Sequence, residues 1–197
     1  MRLVKGGLVG RFAAILLLGN GTRDERIIGE VMSKFNHKKT ILLPTIPRRT
    51  GIEAIIDQLT ILSTTTRVNT YIVVIDKEHL RSVKEVESSL KRHGFSISRI
   101  EDLGSDALVI ECVRGGRKVV VYVALVGLSD RGCIEECLAG LIKLIYGEDV
   151  EPTKESLSKW LSSHDMSDRD IVSRASKEQL RRVFPGLLRV IEVLTGN

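Results

Sequence analysis

Tyr71-Ile72-Val73-Val74-Ile75-Asp76-Lys77-Glu78 is the stretch that decides the fold of this chain. Its apolar part is continuous and mostly β-branched, as in a strand covered on both faces. Two carboxylates follow at i and i+2. A helical pattern starts at once, with Leu80, Val83, Val86 and Leu90 at inward positions and Gly94 as its stop. Strand followed by helix is the unit of an open α/β sheet, whose ligands gather outside the carboxyl ends of the strands. Asp76 and Glu78 are therefore expected on that rim. Two readings stand there: carboxylates that hold Mg²⁺, or an Asp76 that caps its own helix with Glu78 favoured near the positive helix end.

The same unit occurs twice upstream. Residues 13–18 form an apolar run, Gly19-Asn20-Gly21 makes a sharp turn, and Thr22 with Glu25 has capping-box spacing. Ile27, Ile28, Val31, Met32 and Phe35 then give one apolar helix face. Residues 40–43 are a second short strand, followed by a loop with Pro44, Pro47, Arg48 and Arg49. Thr50 and Glu53 repeat the capping-box spacing ahead of a helix with Ile52, Ile55, Ile56, Leu59 and Leu62 inward.

Downstream the pattern changes. Residues 107–113 and 118–126 flank Arg114-Gly115-Gly116-Arg117 and read as a hairpin. A helix over residues 133–146 follows, then a polar, mostly helical tail in which Pro185 predicts a kink or break. The expected fold is α/β, with a mainly parallel central sheet flanked by helices, a β-hairpin and a C-terminal helical extension. Residues 1–147 make the α/β domain. The extension, residues 148–197, is too short to build its own core and is expected to pack on the domain or on a partner subunit.

The net charge of +5 permits an anionic partner without demanding one. Its distribution says more: residues 31–52 contain no acid but include Lys34, Lys38, Lys39, Arg48 and Arg49. Cys112, Cys133 and Cys137 are an odd number without framework spacing, which points to a reducing cytoplasm. Cys133 and Cys137 lie one helical turn apart but lack further ligands for a tetrahedral site, so they read as buried free thiols. Arg11 interrupts the N-terminal apolar stretch, which argues against a signal peptide, and no run reaches membrane-spanning length.

The turn Gly19-Asn20-Gly21-Thr22-Arg23-Asp24 opens a helix, where backbone N–H groups favour an anion. It lacks the lysine of a P-loop and the third glycine of a dinucleotide fingerprint, so a plain strand–helix turn competes with a phosphate site. Arg48 and Arg49 follow the second strand and are candidate phosphate clamps, or a solvated loop. Asp130, after the 118–126 strand, is either a further rim carboxylate or part of a helix cap. His37, His79, His93 and His164 have no metal or triad spacing, and His79 alone adjoins a candidate site.

Together these motifs resemble the Toprim domain, the Mg²⁺-binding domain shared by topoisomerases, primases and the overcoming-lysogenization-defect nucleases. In that family a first strand ends in a Glu-Gly-x-x-Asp-like turn and a later one in Asp-x-Asp or a variant. Asn20-Gly21-Thr22-Arg23-Asp24 stands at the first motif and Asp76-Lys77-Glu78 at the second. Residues 121–137, with Asp130, Gly132, Ile134 and Glu135, are similar to a segment of small Toprim-like proteins. The resemblance covers roughly residues 12–146. It implies Mg²⁺ held by Asp76, Glu78 and Asp130, phosphate at the glycine turn and Arg48/Arg49, and a phosphodiester or nucleotide substrate. Asn20 stands where the family has a glutamate that exchanges protons or shares metal binding, which an amide does poorly. The alternative is therefore a degenerate module that binds nucleic acid or nucleotide, or a subunit of an assembly such as a homodimer.

Overall fold

The computed structural model describes residues 2–6, 11–19, 22–35, 39–44, 51–80 and 82–196. The elements run β1 (Arg2–Gly6), β2 (Ala14–Leu18), α1 (Thr22–Lys34), β3 (Thr40–Pro44), α2 (Ile52–Thr65), β4 (Thr70–Asp76), α3 (Val83–Arg92), β5 (Ser96–Gly104), β6 (Ala107–Arg114), β7 (Arg117–Val126) and α4 (Ile134–Tyr146). Then come α5 (Lys154–Ser163), α6 (Asp168–Arg174), α7 (Lys177–Val183) and α8 (Pro185–Thr195). The strands form one seven-stranded sheet in the order β1-β3-β2-β4-β7-β6-β5. From β1 to β7 neighbours are parallel, and β6 and β5 join antiparallel.

Strand alternation sorts the apolar side chains into two cores. Ala14, Leu16, Ile72, Val74, Ala124 and Val126 pack against α1, α4 and the helices of residues 154–195. Ile15, Leu17, Tyr71, Val73, Ile75 and Val121 pack against α2 and α3. The sheet is thus covered on both faces, which explains the uninterrupted apolar runs of β2 and β4.

The hairpin forms as expected, with Gly115 and Gly116 both at positive φ (54° and 78°) in its two-residue turn. Pro185 ends one helix and begins the next, standing at the first turn of α8 where its missing N–H costs nothing. Three readings are corrected. The chain does not enter a helix directly after Asp76: a single 3-10 turn, Lys77–His79, comes first, α3 begins only at Val83, and Val83 is exposed rather than inward. The helix after β3 takes Gly51 as its N-cap, at φ 88° and without a side-chain cap bond; Thr50 lies outside the described residues. Two edge strands, β1 and β5, join the sheet in addition to those expected.

The described tail helices share the core of the sheet. Leu157, Trp160, Ile171, Val172, Leu180, Phe184 and Leu187 are buried in the same cluster as α1 and α4. Gly186 lies so close to the sheet that a Cβ there would stand 2.5 Å from the Asp106 carbonyl oxygen and 2.9 Å from that of Leu125. No helix among the described residues is long and apolar enough to cross a membrane.

Candidate functional site

From β2 the chain crosses by α1 to β3 on one side, whereas from β4 it crosses by α3 to β5 at the opposite edge. The strand order therefore turns between β2 and β4, and the crevice at their carboxyl ends is the place where open α/β sheets take ligands. The two ends are locked side by side: the Gly19 N–H donates to the Val74 carbonyl at 2.9 Å, and the Gly19 carbonyl accepts from the Gly51 N–H at 2.9 Å.

Asp76 is the last residue of β4 and is 4% exposed. It follows Ile72 and Val74 in the alternation, so its side chain is on the α1/α4 face of the sheet. Its carboxylate does not cap the 3-10 turn that follows it. It accepts instead from the backbone N–H of Ile134, the first residue of α4, whose positive end favours a negative charge. Even so, burial pushes the Asp76 carboxyl up to about 8, helped by the negative charges of Asp24 and Glu135 and, less, of Glu78. Asp24, on the first turn of α1, and Glu135, on the first turn of α4, are themselves buried. Sequence alone put Asp24 with the phosphate-binding turn, whereas here its charge faces Asp76.

Asp76, Glu78 and His79 each bring one ligand atom within 4.8 Å of the others, with Glu78 and His79 exposed. Glu78 Oε1 is 3.5 Å from His79 Nε2. The intervening Lys77 turns away to pair with Asp106 at 3.0 Å. Oxygen donors with one imidazole suit Mg²⁺ or, better, Mn²⁺, so these side chains fit a divalent cation. Asp130 is exposed on the β7–α4 loop and stands outside this group.

That loop is held in shape by glycines and by one acid. A Cβ on Gly127, at φ 121°, would stand 2.3 Å from the Gly132 carbonyl carbon, so the loop folds onto itself where no side chain fits. Glu136 accepts from the Leu128 N–H at 2.8 Å, the Ser129 N–H at 2.9 Å and the Ser129 hydroxyl at 2.7 Å. Burial works against its charge, but the bonds from Ser129 and Leu128 win and lower its pKa. The Glu78 N–H in turn donates to the Gly132 carbonyl at 3.1 Å, joining the β4 and β7 ends. Glu136→Gln is expected to cost about 1–3 kcal/mol in chemical denaturation. Because the folded pKa is depressed, the charge stabilises above the unfolded glutamate range and that stability is lost as pH falls through the folded value. The variant should therefore lose less stability than wild type on acidification; parallel curves would count against the role given to Glu136.

Gly19 has both backbone groups engaged in the sheet and α2. Thr22 opens α1. Arg23 is held by carboxylates: its Nε and Nη2 donate to Asp168 at 3.0 and 2.6 Å, and its Nη1 to Glu135 at 3.4 Å. Asn20, Gly21, Arg48 and Arg49 lie outside the described residues. Cys112 and Cys137 are buried and Cys133 partly so, all as free thiols. Sequence reasoning missed Asp168 altogether. As the first helical residue after Ser167, it reads as an ordinary first-turn acid, and nothing local marks its partner 145 residues away.

No protein-family model matches the chain, and no curated protein or solved structure shows significant similarity to it.

Proposed function

We propose that the chain is a Toprim-like protein that binds a divalent cation, Mg²⁺ or Mn²⁺, at the β4 end and takes a phosphodiester or nucleotide beside it. The observation that carries this reading is the buried Asp76 carboxyl, crowded by Asp24 and Glu135 and grouped with Glu78 and His79 at the sheet's switch point. Like charges beside a buried carboxyl disfavour its ionised form, and carboxyls perturbed in this way gather at functional sites. Asp76 and Glu78 would hold the cation, with His79 as a further donor. When bound, the cation would supply charge neutralisation at a phosphoryl oxygen. The Ile134 N–H orients the Asp76 carboxylate, and the Glu136-braced loop fixes the start of α4 that carries Glu135.

The test is a Mn²⁺ or Mg²⁺ titration of wild type against Asp76→Ala and Glu78→Ala. Wild type is expected to bind, Asp76→Ala to lose binding by about tenfold or more, and Glu78→Ala to lose less because Glu78 is half-exposed. Equal affinity in all three proteins would sink the proposal. A second reading, a binding module without turnover, is favoured by Asn20, which stands at the position of the family's proton-exchanging glutamate. Metal-dependent cleavage of nucleic acid by pure protein, lost on Asp76→Ala, would decide against it.

A further inference from the structure

Arg23 is the cation built into the carboxylate crevice. It precedes Asp24 in the first turn of α1, and Asp24 and Glu135 both press their charge on Asp76. The guanidinium is mostly buried, and its fork is engaged on two sides. On one side Asp168, at the start of α6, takes two parallel bonds, at 3.0 and 2.6 Å. On the other, Glu135 takes a single longer bond at 3.4 Å. Bidentate pairing with a carboxylate is the strongest directional contact an arginine makes, and it fixes the plane of the guanidinium as well as its position. Asp168 is itself 9% exposed, and among the described residues its other ion pair, with Arg26, is long at 3.9 Å. The tail helix thus outbids the crevice for this arginine.

We propose that Asp168 is a positioning residue for the carboxylate site, holding the Arg23 guanidinium on the tail side of the crevice and away from the Asp76 and Glu78 oxygens that would take a divalent cation. This rests on the cation reading given above. A guanidinium and a divalent cation compete for the same carboxylate oxygens. Without the Asp168 charge, the carboxylate that Arg23 still contacts is Glu135, whose charge bears on Asp76, and the arginine becomes an internal competitor on that side of the crevice. Through Asp168 the extension takes part in the site without supplying a ligand to it.

The experiment is a Mn²⁺ titration, followed by electron paramagnetic resonance, of the full chain and three variants, each checked by thermal unfolding. Asp168→Asn, which keeps the shape and removes the charge, is expected to bind Mn²⁺ about tenfold more weakly than wild type, the loss typical of an outer partner. Arg23→Gln is expected to bind at least as tightly as wild type, and Arg23→Gln/Asp168→Asn to recover the affinity lost in the single Asp168 variant. A merely structural Asp168 predicts no such recovery. Wild-type affinity in Asp168→Asn, or a double variant as weak as the single, would overturn the proposal. If Asp168→Asn does not fold, a weakening of Mn²⁺ binding in Arg23→Gln overturns it instead. Failure of wild type to bind Mn²⁺ would overturn the cation reading itself. The positioning of Arg23 is then read separately, by solvent exchange of its Nε proton: slow in wild type and fast in Asp168→Asn if Asp168 holds it, and equal in both if it does not.

Discussion

Replacing Asp76 by asparagine is expected to flatten the pH dependence of stability and, in the presence of a chelator, to make the protein more stable above neutrality. The folded carboxyl titrates at about 8, against 3.8 for an ordinary aspartate. A raised folded pKa means that the native state holds the proton more tightly than the unfolded chain does. The associated stability is therefore complete below about pH 4, declines as pH rises, and is gone above about pH 8. At roughly 1.4 kcal/mol per unit, full ionisation without a counter-cation costs on the order of 5 kcal/mol. Asparagine keeps an oxygen that can accept from the Ile134 N–H and never ionises. The measurement is a set of denaturant melts from acid to alkaline pH, in chelator, for both proteins. Curves that run parallel through this range would show that the crevice does not strain the Asp76 charge. Adding Mg²⁺ or Mn²⁺ at high pH should restore wild type and leave Asp76→Asn unmoved, because a ligand stabilises only the state that binds it.

Gly186→Ala is the second large expected effect, and its sign runs against helix propensity. Alanine in a helix gains about 1 kcal/mol over glycine. Here the new Cβ would meet backbone, the Asp106 and Leu125 carbonyl oxygens, at 2.5 and 2.9 Å. The Asp106 oxygen accepts from the Leu125 N–H in the bond that joins β7 to the β5–β6 turn, and Leu125 is itself a β7 residue, so this backbone cannot step aside as a flexible side chain can. Overpacking of this kind costs about 1–3 kcal/mol or more, which exceeds the propensity gain and predicts a melting temperature lower by several degrees. Gly140→Ala is the control. Its Cβ would meet only the ends of the Leu128 and Val183 side chains, at 3.1 and 3.2 Å, so it should be near neutral. Equal melting temperatures for the two variants would show that α8 is not seated so closely on the sheet.

What the sequence disclosed depended on how local each cause was. The runs of β2 and β4 were legible because burial on both faces leaves no polar interruption. The hairpin turn and the break at Pro185 were legible because two glycines at positive φ and one proline act within their own turns. β5 was not: most of its residues are exposed, and irregularities between Ile97 and Arg99 and between Asp102 and Gly104 break the period of two. The late start of α3 was hidden because Leu80 is buried without being helical, which mimics a first inward position. Within the candidate site, Asp76, Glu78 and Asp24 could be placed from the strand and helix ends that carry them. The Arg23 bonds to Glu135 and Asp168 could not, since they span 112 and 145 residues and exist only after α4 and α6 dock.

The close seat of α8 on β6 and β7 bears on how the chain matures during synthesis. Ribosomes add about 5–20 residues per second. The sheet is complete when β7 ends at Val126, but α8 does not end until Thr195. A nascent chain therefore spends on the order of several seconds with its strands made and one apolar flank open. That is long compared with hydrophobic collapse, so the unfinished sheet is the species most in need of a chaperone. Slow codons between β7 and α8 would lengthen this exposure, and synonymous changes there should alter yield without altering a single side chain.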